Sequence, residues 1–160
     1  MEESTFLGIA EQYRNRLFAI AFHYCKNRAD ADDIVQTVLF KLFKADKPFE
    51  NEEHIRNWLI RVTINECKRL LLSPWQKRTA PLEDYAAITF SEPGESDLFL
   101  AVMALQPKYR IVVHLYYYEE YSTKEIAKLL EISETAVQTR LMRARKKLKQ
   151  ALQEAWYDEK

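Results

Sequence analysis

The stretch Tyr121-Ser122-Thr123-Lys124-Glu125-Ile126-Ala127-Lys128-Leu129-Leu130-Glu131-Ile132-Ser133-Glu134-Thr135-Ala136-Val137-Gln138-Thr139-Arg140-Leu141-Met142-Arg143-Ala144-Arg145-Lys146-Lys147-Leu148 reads as two helices around a tight turn. Ser122, followed three residues later by Glu125, is a capping box that satisfies the first amides of a helix. Ile126, Leu129 and Leu130 give that helix one apolar stripe. Ala127 is small enough to admit a crossing helix, and Ser133 can cap the next one. Val137, Leu141, Ala144 and Leu148 then repeat at helical spacing. A capped helix, a short turn and a second amphipathic helix are the parts of a helix-turn-helix, whose second helix enters a DNA major groove.

At about 100° per residue, Val137, Leu141, Ala144 and Leu148 fall in one inward arc. Thr135, Thr139, Met142, Arg143 and Lys146 point the other way, with Gln138 on the flank. Thr, Gln and Arg side chains carry the donors and acceptors that base edges require, so Gln138, Thr139 and Arg143 are candidate base contacts. Arg140, Arg145, Lys147 and Lys149 are candidate phosphate contacts. No acidic residue occurs from Thr135 to Gln150. A basic helix end complementing the macrodipole would account for Lys147 and Lys149, but not for the capped unit before them. Glu131 stands in the turn where many such units place glycine, so a strained or altered turn is expected there.

The 160 residues suit one ordinary domain or two small ones. Two glycines and five prolines, amid many Leu, Ala, Glu, Lys and Arg, predict an all-α chain. Formal charge is zero, so its distribution is what informs. The last third holds the basic run, while Glu83, Asp84, Glu92, Glu95 and Asp97 make the middle acidic. No apolar run approaches membrane-spanning length and the first residues are not signal-like, so a cytoplasmic protein is expected. Cys25 and Cys67 are far apart in sequence and belong to no paired-ligand motif; a reduced, buried thiol is expected of each. His23 beside Cys25 has no second ligand pair, and no metal is expected.

From the N-terminus, Phe6, Ile9, Ala10, Tyr13, Leu17, Ile20, Ala21 and Tyr24 recur at helical spacing. A second helix follows the break at Lys26-Asn27-Arg28, with Ile34, Val35, Val38, Leu39, Leu42 and Phe43 facing a core. A polar loop from Lys44 to Glu53 leads to a third helix, about His54 to Leu72. Its expected packing positions are Ile55, Trp58, Leu59, Val62, Cys67, Leu70 and Leu71. These helices make a first domain, 1–72. Residues 73–97, with Pro74, Pro81, Pro93-Gly94 and several acids, read as a linker. Residues 98–160 form a second domain that ends in the helix-turn-helix, its tyrosines at 109, 116 and 117 expected as helix–helix contacts.

The order of parts resembles the extracytoplasmic-function sigma factors, the compact group of the sigma-70 family of bacterial RNA polymerase. Asp30-Ala31-Asp32-Asp33-Ile34-Val35-Gln36-Thr37-Val38-Leu39-Phe40-Lys41-Leu42 looks like the family's polymerase-binding helix. Trp58-Leu59-Ile60-Arg61-Val62-Thr63-Ile64-Asn65 looks like the helix that handles the melted −10 element, and Leu105-Gln106-Pro107-Lys108-Tyr109-Arg110 with the helix-turn-helix looks like the domain reading the −35 element. The resemblance implies contacts to core RNA polymerase from Asp30, Asp32, Asp33 and Gln36. It implies −10 contacts from Arg61, Asn65, Lys68, Arg69 and the Lys47 to Asn57 loop. It implies −35 contacts from Gln138, Thr139, Arg140, Arg143 and Arg145. Three aspartates in the polymerase-binding stretch depart from the mixed Asp/Glu pattern of the family, and each also favours a helix N-terminus.

A promoter-specificity subunit of this kind has no cofactor, no small-molecule substrate and no catalytic activity. Its partners are core polymerase, promoter DNA and an anti-sigma factor, membrane-bound for many members of the group. Two other readings stand beside it. A repressor or activator would use the same helix-turn-helix, although such proteins usually dimerise and no dimerisation heptad is present. An enzyme would need Asp30, Asp32 and Asp33 to converge on a metal, and adjacent positions on one helix point apart.

Overall fold

Side chains reaching back to backbone amides set the helix starts. Asn27 Oδ1 accepts from the Asp30 N–H at 2.9 Å and opens α2 (Arg28–Phe43), directly after α1 (Glu3–Cys25). Between them Lys26 is left-handed at φ 57°, its N–H bonded to Phe22 O, so the chain turns within two residues. Asn51 does the same for α3 (Glu52–Leu71), accepting from the His54 N–H at 2.8 Å. The computed structural model describes residues 1–46, 48–72 and 95–158. Lys47 and residues 73–94, where most of the expected linker falls, lie outside them.

Two compact units emerge, Met1–Pro81 and Leu82–Lys160. All regular structure among the described residues is helical. In the first unit α1 packs on α2 and both pack on α3. Leu17, Ile20, Ala21, Val38, Leu42, Leu59, Ile64 and Cys67 are fully out of solvent. Because α3 serves two helices, its buried face is wider than one stripe and takes in Ile60, Thr63 and Ile64, which the expected packing set omitted. Thr63 sits there by donating its hydroxyl to Leu59 O at 2.7 Å. Trp58, expected in the core, is only half-buried, and Leu71 on the last turn is exposed.

The second unit contains α4 (Glu95–Met103), α5 (Pro107–Val113), α6 (Thr123–Leu130) and α7 (Glu134–Asp158). Helix α4 thus begins within the last residues assigned to the linker. Pro107 starts α5 where its missing N–H costs nothing, and buried Arg110 donates to Met103 O at 3.2 Å, closing the α4–α5 corner. Helix α5 runs on as a π-helical turn, His114–Tyr118, in which the Glu119 N–H bonds to His114 O at 3.1 Å. The core gathers Val102, Ile111, Val112 and Leu115 against Ile126, Leu130, Val137 and Leu141.

Candidate nucleic-acid and polymerase interfaces

The helix-turn-helix closes as its sequence predicts. Ser122 Oγ accepts from the Glu125 N–H at 3.1 Å, and Glu125 Oε1 accepts from the Ser122 N–H at 3.1 Å. At the far end of α6, the Ile132 N–H bonds to Ala127 O and the Glu131 N–H to Lys128 O, the paired bonds of a Schellman turn. Glu131 sits at φ 57°, ψ 44°. The turn therefore keeps the glycine conformation with a side chain in it, at a cost of about 1 kcal/mol. Ser133 Oγ accepts from the Ala136 N–H at 3.1 Å and starts α7, and Glu134 Oε1 accepts from the Thr123 hydroxyl at 2.9 Å, tying the two helix starts together.

On α7, Val137, Leu141 and Ala144 are buried, which leaves Thr135, Gln138, Met142, Arg143 and Lys146 exposed and Thr139 and Arg140 half-buried. Thr139 and Arg143 are presented on the outward side with Lys146, and Gln138 and Arg140 lie on opposite flanks. Arg145, also exposed, is engaged by an aromatic pair of its own unit. Its Nε donates to the Tyr117 hydroxyl at 2.7 Å, and its guanidinium lies 5.5 Å from the Tyr116 ring centre and 5.6 Å from that of Tyr117. The Tyr117 hydrogen bond holds the Arg145 pKa above its ordinary value, so it is a fixed charge engaged inside its own unit. The Tyr pair that grips it projects from the π-helical turn. Beside it, Leu98, Val102, Val113, Tyr117, Leu148 and Leu152 line an apolar groove of ≈ 740 Å³.

On α2, the three aspartates separate. Asp30 is buried and lines a pocket with Asp33, Thr37, Glu66 and Arg69, toward α3. Asp32 and Gln36 line a groove with Arg14, Phe18 and Arg28, toward α1. Asp32, Asp33 and Gln36 are exposed, and between the last two on the helix surface stands Phe40, 57% exposed with Lys44 Nζ 4.6 Å over its ring. Sequence reasoning passed over Phe40. The signal was available, since at about 100° per residue it lies opposite the Ile34, Val38 and Leu42 stripe.

On α3, Arg61, Asn65 and Lys68 share one arc of about 60°, with Arg61 and Asn65 exposed and Lys68 half-buried. Arg69 lies off that arc and donates to Glu66 Oε2 at 2.7 Å, while Lys41 Nζ lies 2.6 Å from Glu66 Oε1. Glu66 is 8% exposed. Burial raises its pKa, but the hydrogen bonds and charges of Lys41 and Arg69 outweigh burial and hold it below its ordinary value. Arg69 thus carries a share of a structural ion cluster between α2 and α3. Next to the Arg61 and Asn65 arc stands an aromatic group that the sequence reading did not assemble. Phe49 meets Trp58 edge-on at 5.5 Å and His54 edge-on at 5.1 Å, all from the loop before α3 and its first turns. Among the described residues no cluster of three or more His, Cys, Asp or Glu could hold a metal, and no helix is long and apolar enough to cross a membrane.

Comparison with known proteins agrees with this layout. Residues 9–90 match sigma-70 region 2, and residues 97–148 match sigma-70, region 4. The chain is 29% identical over 140 residues to the RNA polymerase sigma factor SigV of Bacillus subtilis, covering 84% of this chain and 82% of that one. It is 27% identical over 144 residues to the ECF RNA polymerase sigma factor SigM of Mycobacterium tuberculosis, covering 88% of this chain and 74% of that one. Its fold is similar to that of the sigma factor RpoE of Bartonella quintana co-crystallised with the anti-sigma factor NepR, with a TM-score of 0.72 at 20% identity over 93% of this chain and 97% of that one. CnrH in complex with the cytosolic domain of CnrY is also similar, with a TM-score of 0.64 at 26% identity over 95% and 90% of the two chains. Two sigma-70 regions in order, on an all-α fold and with extracytoplasmic-function relatives along most of its length, place this chain in the sigma-70 family of RNA polymerase sigma factors, in the extracytoplasmic-function group.

Proposed function

We propose that the chain directs core RNA polymerase to promoters in the cytoplasm and divides the work between its two units, residues 1–72 acting on polymerase and the −10 element and residues 98–160 on the −35 element. The observation that carries this reading is the pair of outward polar arcs, Arg61–Asn65–Lys68 on α3 and Gln138–Thr139–Arg143 on α7, each on a separate helical unit. Gln138, Thr139 and Arg143 read base edges in duplex DNA, with Arg140 on phosphate. Arg61, Asn65 and Lys68 hold the opened strand, and the Phe49–His54–Trp58 cluster offers ring surface on which an unstacked base can rest.

Asp32, Asp33 and Gln36 meet core polymerase together with Phe40, a ring that can anchor a contact whose charged rim supplies orientation. In this reading Asp30 on α2, Arg69 bound to Glu66 and Arg145 bound to Tyr117 are engaged within their own units and position the surfaces. The chain itself catalyses no step, since phosphodiester synthesis belongs to the polymerase. An anti-sigma factor is its regulatory partner, a reading supported by the two similar structures, the sigma factor RpoE in complex with the anti-sigma factor NepR and CnrH in complex with the cytosolic domain of CnrY.

The test is transcription from a promoter library with purified core polymerase, with and without the chain. Initiation that needs the chain, from starts sharing −35 and −10 sequences, is the expected result. Sequence-specific duplex binding with neither initiation nor co-elution with matched core enzyme would replace this reading with a repressor or activator.

A further inference from the structure

On the outward side of α7 one exposed residue is apolar. Met142 is 61% exposed, whereas Met103 in the same unit is 2% exposed and belongs to the core. A single exposed apolar side chain is ordinary on a protein surface. What distinguishes Met142 is its place. Thr135, Thr139 and Met142 follow one another at spacings of four and three, so they form one stripe along the helix. Gln138 flanks that stripe on one side and Arg143 on the other, and both are exposed. Two threonine methyl groups and a thioether are thus carried between the polar side chains assigned to base edges.

We propose that Met142 is a specificity-determining residue that packs on the C5-methyl group of a thymine in the major groove of the −35 element. The inference rests on the reading of α7 as the helix that enters that groove. Thymine is the base whose major-groove edge carries a methyl group, and apolar contact is how a side chain reads it. Hydrogen-bonding groups such as those of Gln138 and Arg143 do not register a methyl group. Methionine suits the task because its unbranched thioether adapts to the surface that it meets.

Helix geometry also places the thymine. Side chains four positions apart, as Gln138 and Met142 are, start about 5–6 Å from each other. Successive bases on one strand rise about 3.4 Å along the duplex. The thymine therefore lies within about two base pairs of the base that Gln138 meets. Removing one methyl-sized group from water corresponds to about fourfold in affinity, so the contact adjusts a preference that the polar side chains establish.

The experiment uses holoenzyme assembled from core polymerase and the full chain, with the −35 element that the promoter library selects. Each thymine of that element is replaced singly by deoxyuridine, which keeps base pairing and the O4 acceptor and lacks only the methyl group. Binding to labelled promoter duplex is measured for wild type, Met142→Ala, Met142→Leu and Arg143→Ala. The expected result is one thymine at which deoxyuridine weakens wild-type binding about fourfold. Met142→Leu should keep that discrimination and Met142→Ala should lose it, with circular dichroism confirming that both variants fold. Equal binding of wild type to every substituted promoter, full discrimination in Met142→Ala, or a selected element without thymine would each overturn the proposal. A change of base preference in Arg143→Ala would show that reading of the −35 element by α7 survives those results. No change of −35 preference in any of the α7 variants would overturn both.

Discussion

The helix-turn-helix and the α2–α3 pair present polar surface in different ways. In the helix-turn-helix one amphipathic helix sets the face: with Val137, Leu141 and Ala144 buried, what remains of α7 points outward as a set. In the α2–α3 pair, neighbours in sequence part company. Asp30 turns to α3 and Asp32 to α1, while Arg69 binds Glu66, away from Arg61 and Asn65. A helix packed on one side leaves its polar residues a single destination, whereas a helix packed between two others uses some charges as structure. Arg145 shows that the first case has an exception wherever an aromatic pair is within reach.

The largest effect should come from breaking the packing that makes α7 one-sided. Leu141→Ala removes a side chain 1% exposed and should destabilise the second unit by about 2–5 kcal/mol, measured by chemical denaturation of the full chain followed by circular dichroism. A loss below about 1 kcal/mol would mean that the helix-turn-helix core collapses around the gap.

Next comes the contrast between two arginines two positions apart. Arg143→Ala should cost about 1–3 kcal/mol of −35 base discrimination, and Arg145→Ala should leave base preference unchanged while releasing Tyr117. Equal loss of preference in both, scored by initiation from mutated −35 sequences, would erase the distinction between outward and engaged cations.

The smallest effect sharpens the other side of the comparison. The Glu66 carboxyl is held below its ordinary value of 4.5 in the fold, so the stability it contributes is complete above the unfolded value and is lost as pH falls through the folded one. Glu66→Gln should therefore be less stable than wild type by about 1 kcal/mol at neutral pH, with the gap closing as the solution is acidified below the ordinary value. A gap that stays constant across the acid range would show that Lys41 and Arg69 do not depend on the charge.

Much of the fold was legible in the sequence because its signals are local. The Ser122 and Glu125 capping box and the break at Lys26-Asn27 depend on residues within a few positions of each other, and the structure places them as expected. The turn at Glu131 was legible even in its strain. What escaped depends on contacts across the fold. Nothing near Glu66 in sequence names Lys41 as its partner, nothing near Arg145 names Tyr117, and nothing near Phe49 says that it will sit against Trp58.

The central claim is that two separate faces act on two separate promoter elements. The most direct measurement is the initiation profile over one randomised promoter library, taken with core polymerase and the wild type, Asn65→Ala or Arg143→Ala. The account predicts that Asn65→Ala alters preference only at −10 positions and Arg143→Ala only at −35 positions, each leaving the other element as in wild type. Changes by both variants at the same positions, or no change in either profile, would contradict it.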